Sequence, residues 1–263
     1  MHRTYLFAPG NNPRIVRKAF ETGADAVILD LEDAVPPQDK TAARTFVAQA
    51  LEQHRAWVRV NEVGTDACRA DLDAVAENAH GIRIPKVESA EDVEWVASRC
   101  PGLPIICAIE TARGILAAPE IADASASTYL ALGGLDLRRD LSVGMGTTPL
   151  LHARSQLVLA ARAAGIAPPI DSVYGQLDDD AGLQDEAEHA RSVGFFGKSA
   201  IHPRQLPIIA KAFTPTQSEI KWAKNVLDAF ARAHQGATTL PGGEFVDAPV
   251  AARARQILDR ASS

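Results

Sequence analysis

Residues 105–136, IICAIETARGILAAPEIADASASTYLALGGLD, decide the fold. Two apolar runs of strand type each lead to an acid. Ile105-Ile106-Cys107-Ala108-Ile109 closes at Glu110, and Tyr129-Leu130-Ala131-Leu132 passes through Gly133-Gly134 to Asp136. A carboxylate at the end of a buried strand is costly unless it is paired or binds something. Acids after consecutive strands of a β/α repeat lie where barrel enzymes collect their active-site residues.

Outward from this stretch the same rhythm repeats. Tyr5-Leu6-Phe7-Ala8 precedes a Pro-Gly-Asn-Asn turn, and Pro13 to Thr22 reads as a helix with proline in its first turn. Ala26 to Leu29, Trp57 to Val60 and Gly81 to Pro85 are further strand-type runs, with a helix expected over Lys40 to Gln53 after the first of them. Pro169-Ile170-Asp171 makes a weaker seventh run, followed by a helix over Leu183 to Val193, and Gly194 to Lys198 makes an eighth. Eight strands alternating with helices over about 200–250 residues predict an α/β protein of the TIM (β/α)8 type. An open, doubly wound sheet is the competing topology. Asp30, Glu32, Asp33, Arg59, Lys86, Glu110, Asp136, Asp171 and Lys198 fall at or just past the ends of the runs. A barrel would gather them at one mouth, which favours it.

The barrel is expected over 1–215, and a C-terminal helical extension and lid over 216–263. Ser218 to His234 is amphipathic, with Trp222, Val226, Leu227 and Phe230 as anchors. A Gly/Thr/Pro-rich connector from Gly236 to Gly243 and a basic helix from Val250 to Arg260 follow. This tail is expected to pack on the barrel or on a neighbouring subunit.

Composition narrows the function. A chain of 263 residues with 46% hydrophobic content can bury a substantial core. A net charge of −6 argues against nucleic-acid binding, which needs a basic face. Cys68, Cys100 and Cys107 show neither disulfide nor zinc spacing. No apolar stretch approaches the ~20 residues of a membrane span, and the opening Met-His-Arg-Thr-Tyr has no signal-peptide pattern, so a cytoplasmic protein is expected.

Glu110 and Asp136 offer hard oxygen ligands with no His or Cys beside them, which suits Mg²⁺ or Mn²⁺. The structural alternative is that each caps the following helix or pairs with Arg113 or Arg138. Arg59, flanked by apolar residues, must be paired with an internal acid such as Glu32 or with a substrate carboxylate. Asp30, Glu32 and Asp33 are too crowded with like charge to bind metal alongside Glu110 and Asp136. They are expected to orient Arg59 and Lys86 or to hydrogen-bond metal waters. Lys86 reads as a substrate ligand, with a Schiff-base lysine as the alternative. Gly197 to Pro203 is a candidate phosphate loop in which His202 could instead cap a helix, and Asn11, Asn12, Arg14 and Lys18 form a second such patch. Gly144-Met145-Gly146 is weak evidence for a dinucleotide site, and no P-loop or nucleophile elbow is present.

Six motifs run in order along the chain: Tyr5-Leu6-Phe7-Ala8-Pro9-Gly10, Asp30-Leu31-Glu32-Asp33-Ala34-Val35, Val58-Arg59-Val60-Asn61, Pro85-Lys86, Ile109-Glu110-Thr111-Ala112-Arg113-Gly114 and Gly197 to Pro203. Together they resemble the citrate lyase β-subunit-like family, whose relatives include citramalyl-CoA and malyl-CoA lyases. The resemblance implies a TIM barrel with Mg²⁺-dependent carbon–carbon cleavage or condensation between a 2-oxo acid and an acyl thioester. It places metal on Glu110 and Asp136 and the substrate carboxylate on Arg59. It also implies an acid/base aspartate in the tail, matched by Asp247 and supplied by a neighbouring subunit, hence a homotrimer or a multiple of one. CoA contacts would fall on Phe7, Ala8, Asn12, Lys18, Ile201 and Pro203. Leu135 stands where many members carry Glu, and Asn12 where some malyl-CoA lyases carry Arg. Three alternatives share these motifs. One is a citrate lyase β subunit working with acyl-carrier and transferase subunits, one a class II pyruvate-type aldolase, and one a non-catalytic regulatory barrel.

Overall fold

The structure, a computed structural model, describes residues 2–262 and comprises two compact units, His2–Ala210 and residues 211–262. The first unit runs β1 (Thr4–Pro9), α1 (Pro13–Ala19), β2 (Ala26–Asp30), α2 (Lys40–Leu51), β3 (Trp57–Arg59), α3 (Asp66–Val75), β4 (Gly81–Ile84), α4 (Ala90–Ala97) and β5 (Ile105–Ile109). It continues through α5 (Ala112–Leu116), α6 (Ala118–Asp123), β6 (Ser127–Leu132), α7 (Gly134–Leu141), α8 (Leu151–Ala163), β7 (Ile170–Asp171), α9 (Asp180–Ser192) and β8 (Gly197–Ala200). The strands pair in parallel in chain order and close where Thr4 of β1 meets Lys198 of β8. That closing pair makes the sheet a TIM barrel and rules out the open one.

Alternation along each strand sends successive side chains to opposite faces. Inside the barrel pack Tyr5, Ala26, Ile28, Trp57, Ile106, Ala131 and Ile170, with Phe7 and Tyr129 against them. The Trp57 indole meets the Tyr129 ring edge-on at 6.0 Å. It also occupies the space a Cβ would need at Gly81, so β4 opens on glycine because its neighbour is tryptophan.

Local chemistry starts the helices near the mouth. Asn12 caps α1, its Oδ1 accepting from Ile15 N at 3.2 Å. Thr111 caps α5, its Oγ1 accepting from Gly114 N at 3.1 Å. Ser89 and Asp92 form a reciprocal capping box at α4. The Glu110-Thr111 dipeptide thus ends a strand with an acid and opens a helix with a cap.

Two expectations need correction. The eighth strand is Gly197–Ala200 rather than the run ending at Lys198, because Gly194 takes φ 113° in a turn. Lys198 therefore lies within β8 and not beyond it, and only Ile201 to Pro203 of the expected loop follow the strand. Lys198 and Asp171 also face away from the barrel interior. Lys198 Nζ binds Asp171 at 2.7 Å and Glu186 of α9 at 2.6 Å, and Arg154 of α8 reaches Asp171 at 3.1 Å. This buried cluster joins strands to helices away from the mouth.

The second unit contains α11 (Gln217–Arg232), a short antiparallel pair of β9 (Thr238–Thr239) and β10 (Phe245–Val246), and α12 (Ala248–Ser262); α10 (Leu206–Phe213) precedes α11. Thr216 and Glu219 form a capping box that starts α11. Ala223, Val226 and Phe230 of α11 pack with Val246, Ala251 and Ala254. Glu244 accepts from the Trp222 indole at 2.9 Å. Asp247 Oδ1 accepts from Val250 N at 3.1 Å at the start of α12. Among the described residues no helix is long and apolar enough to cross a membrane.

Candidate active site

The barrel mouth encloses a cavity of about 420 Å³ bordered by Phe7, Asp30, Arg59, Arg83, Glu110 and Asp136, among others. Asp30, Arg59 and Arg83 arrive on the inward register of their strands. Asp30 ends β2 opposite Arg59, which ends β3 opposite Arg83 of β4.

Arg59 is held from three sides. Asp30 accepts from its Nε and Nη2, both at 2.7 Å, a bidentate fork. Glu32 Oε2 lies 2.8 Å from Nη1 without an aligned hydrogen bond, and Asp33 stands at 3.5 Å. Burial opposes the Arg59 charge, but the Asp30 bonds and the charges of Asp30, Glu32 and Asp33 hold its pKa above the ordinary value. Glu32 itself is pushed up by burial, against the pull of Arg59 and Lys86.

Lys86 donates to Glu32 Oε1 at 2.8 Å and does not border the cavity. Its backbone has φ 49°, an unusual conformation for a residue with a Cβ. Lys40 Nζ reaches the carbonyls of Leu31 and Glu32 at 2.6 and 2.7 Å, and Asn61 Nδ2 reaches Leu31 O at 2.9 Å. The Asp30-Leu31-Glu32-Asp33 loop is thereby fixed around Arg59.

Glu110 is 3% exposed, and its Oε2 has no hydrogen-bond partner. Burial pushes its pKa up to about 7, Glu32 adds repulsion, and Arg83 opposes both. A Cβ on Gly133 would overlap the Glu110 side chain, so the first glycine of the Gly-Gly pair makes room for the acid. Asp136 lies in the first turn of α7 rather than at the strand end, its Oδ1 2.8 Å from Arg139. Its partner is therefore Arg139, not Arg113 or Arg138.

Arg83 escapes notice in the sequence, although the argument applied to Arg59 also covers it. A guanidinium within Gly81-Ile82-Arg83-Ile84, on the face that alternation turns inward, needs an anion. It is 4% exposed, and no partner reaches its Nε or Nη1. Burial pulls its pKa down to about 10, the Arg59 charge adds to that, and Glu110 opposes it. Arg59 and Arg83 lie 5.0 and 5.1 Å from the centre of the Phe7 ring.

Of the expected CoA contacts, Phe7 and Ile201 border the cavity. Ala8 is buried, Asn12 caps α1, and Lys18 and Pro203 are exposed. His202 Nδ1 accepts from Arg204 N at 3.2 Å, the capping role. Cys68, Cys100 and Cys107 are free and buried.

Two carboxylates can hold a divalent ion when water or substrate oxygens complete its shell. Among the described residues no cluster of three or more His, Cys, Asp or Glu side chains could hold one by itself. The unpartnered Glu110 oxygen beside the cavity and the half-exposed Asp136 fit an ion that shares its shell with substrate.

Comparison with known proteins agrees with this architecture. The HpcH/HpaI aldolase/citrate lyase family matches residues 3–203, and a description of a carbon–carbon bond lyase of the TIM-barrel fold matches residues 153–263. The chain is 40% identical over 271 residues to a (3S)-malyl-CoA thioesterase of Cereibacter sphaeroides (strain ATCC 17029), covering 99% of this chain and 95% of that protein. It is 39% identical over 283 residues to citrate lyase subunit beta of Escherichia coli K12, covering 98% and 93%. The CitE protein of Mycobacterium tuberculosis, solved with magnesium, acetoacetate and coenzyme A, superposes with a TM-score of 0.88 at 35% identity over 100% of this chain and 98% of that one. Closed barrel, ordered motifs and near-complete coverage converge, and this chain belongs to the HpcH/HpaI aldolase/citrate lyase family of carbon–carbon lyases.

Proposed function

We propose that the protein is a Mg²⁺-dependent lyase that cleaves, or forms, a 3-hydroxyacyl-CoA thioester such as citramalyl-CoA or malyl-CoA, giving a 2-oxo acid and an acyl-CoA. The observation that carries this reading is the buried, unpartnered oxygen of Glu110 in a cavity that also contains Arg59. The relative crystallised with magnesium, an oxo acid and coenzyme A supports it. Glu110 and Asp136 would hold the ion, which supplies Lewis-acid polarisation of the substrate's oxygens.

The chain's own residues account for the remainder. Arg59, locked in place by Asp30, presents the outer edge of its guanidinium to the substrate carboxylate. Loss of the hydroxyl proton lets the carbon–carbon bond break, and its electron pair passes into a thioester enolate. Asp247, from the tail of a neighbouring chain in a homotrimer, delivers a proton to the enolate carbon, or removes it during condensation. Phe7 and Ile201 face the thioester. The protein acts in the cytoplasm on small molecules.

The match to citrate lyase β subunits favours one second reading, in which the thioester is carried on an acyl-carrier subunit beside a transferase. Metal-stripped protein, assayed with and without Mg²⁺ for release of 2-oxo acid from a panel of CoA thioesters and free hydroxy-oxo acids, separates the cases. Mg²⁺-dependent cleavage of a CoA thioester is the expected result. Cleavage of free acids alone would identify an aldolase, and activity only with an acyl-carrier thioester would identify the citrate lyase subunit.

A further inference from the structure

Ser172 directly follows β7, is 5% exposed and borders the active-site cavity. Asp171 before it faces away from the barrel interior, so alternation turns Ser172 toward the mouth. Its Oγ accepts from Gly134 N, the first residue of α7, at 2.9 Å. A Cβ on Gly134 would lie 2.9 Å from that oxygen and 3.0 Å from the Ser172 Cβ. The two glycines between β6 and Asp136 therefore make room for two different side chains, Glu110 and Ser172.

A hydroxyl has one proton to donate as well as lone pairs to accept with. Gly134 N–H engages a lone pair, and among the described residues nothing accepts the Ser172 proton. A hydroxyl that accepts from a helix's first N–H is polarised by it and becomes a stronger donor. Anchoring α7 would need only an acceptor, which Asp or Asn also supplies. An acid here, however, would add negative charge to a cavity already bordered by Glu110 and Asp136. A hydroxyl accepts from the helix and still offers a proton to the cavity.

Strand order indicates which oxygen that proton meets. Around the barrel Glu110 follows β5, Asp136 follows β6 and Ser172 follows β7, with Ile201 after β8 and Phe7 on the adjoining β1. Ser172 thus lies between the carboxylates that would hold the ion and the residues that would face the thioester. We propose that Ser172 is a catalytic hydrogen-bond donor to the thioester oxygen that becomes negative as the enolate forms. This rests on the lyase reading above and holds for whichever 2-oxo acid is released. When the carbon–carbon bond breaks, its electron pair forms the enolate double bond, and the carbonyl π pair moves onto the thioester oxygen. Ser172 keeps its proton throughout; in net terms the substrate's hydroxyl proton ends on the acyl carbon. An enolate oxygen accepts more strongly than a neutral thioester carbonyl, so the hydrogen bond tightens toward the transition state.

Steady-state cleavage of citramalyl-CoA and malyl-CoA with saturating Mg²⁺, alongside calorimetric Mg²⁺ titration, tests this. Ser172→Ala should lower kcat about 10²–10³-fold on whichever thioester the wild type cleaves, the effect of removing an oxyanion donor. KM and the Mg²⁺ Kd should stay within about threefold, since the interaction is made in the transition state. Ser172→Cys, a weaker donor of similar shape, should fall with it, while Ser172→Thr, which keeps the hydroxyl, should stay within about tenfold of the wild type. A kcat loss below about tenfold in Ser172→Ala, or one matched by weakened Mg²⁺ binding, would overturn the assignment and leave Ser172 an anchor for α7, with the lyase reading intact. If the wild type cleaves neither thioester with Mg²⁺, that reading fails and the assignment with it. Should Ser172→Ala not fold, equal kcat in the Cys and Thr variants would overturn the assignment.

Discussion

Replacing Glu110 by Gln separates what the acid costs the fold from what it does for function. The carboxyl is buried, and its pKa moves from 4.5 to about 7. At ~1.4 kcal/mol per pKa unit, keeping it ionised well above pH 7 destabilises the metal-free protein by about 3 kcal/mol. The sign follows from proton binding. Between pH 4.5 and about 7 the folded state holds a proton that the unfolded chain has released, so stability falls as pH rises through that window. Glutamine cannot ionise, so Glu110→Gln removes this slope, whatever constant offset the amide introduces. Urea denaturation in EDTA at fixed protein concentration, from pH 5 to pH 8, measures it. The variant should gain on the wild type with rising pH, by up to about 3 kcal/mol. Added Mg²⁺ should then stabilise the wild type alone, by ~1.4 kcal/mol at about ten times its Kd. Parallel stability profiles for the two proteins across this range would refute the argument that Glu110 is a desolvated, unpartnered acid.

Gly133→Ala forces a methyl into the Glu110 side chain and should weaken Mg²⁺ binding more than tenfold, at a cost of roughly 1–3 kcal/mol in stability by denaturation. Asp247→Asn should leave Mg²⁺ binding unchanged and lower turnover by about 10²–10⁴-fold, and full activity in that variant would remove Asp247 from the mechanism. Lys198→Met strips a buried cation from Asp171 and Glu186 and should cost about 3–5 kcal/mol, read as a lowered Tm. Lys198 and Arg154 hold the Asp171 carboxyl below its ordinary 3.8 despite burial. Its contribution is therefore present above pH 3.8 and lost as pH falls through the lowered value. The acid limb of the wild-type stability profile should flatten in Lys198→Met.

Much of the fold was legible in the chain because strand and helix periods are local properties. Apolar runs at regular spacing, each followed by helical pattern, indicated the barrel, and the mouth acids Asp30, Glu110 and Asp136 could be picked out as polar residues closing apolar runs. Asn12, Ser89, Thr111 and Thr216 cap helices within a few residues of themselves, so their roles are equally local. Charge partners across strands are not local. Lys86 and Lys198 look alike in sequence, each near the end of a strand-type run. One closes on Glu32 beside the mouth, while the other is sealed behind the barrel against Asp171 and Glu186. A one-residue difference in where β8 begins sends a side chain to the opposite face, and periodicity does not locate that boundary.

The same limit governs the two arginines. Its place inside an apolar strand marked Arg59 in the chain as a guanidinium that needs an anion, whereas Arg83, which the same argument covers, was passed over. Only the tertiary structure decided that three acids surround Arg59 and that none closes on Arg83, because those acids come from a loop more than twenty residues away. Composition and pattern fix which side chains must be compensated. The closed sheet, by bringing distant strand ends to one mouth, determines which are compensated internally and which are left for a ligand.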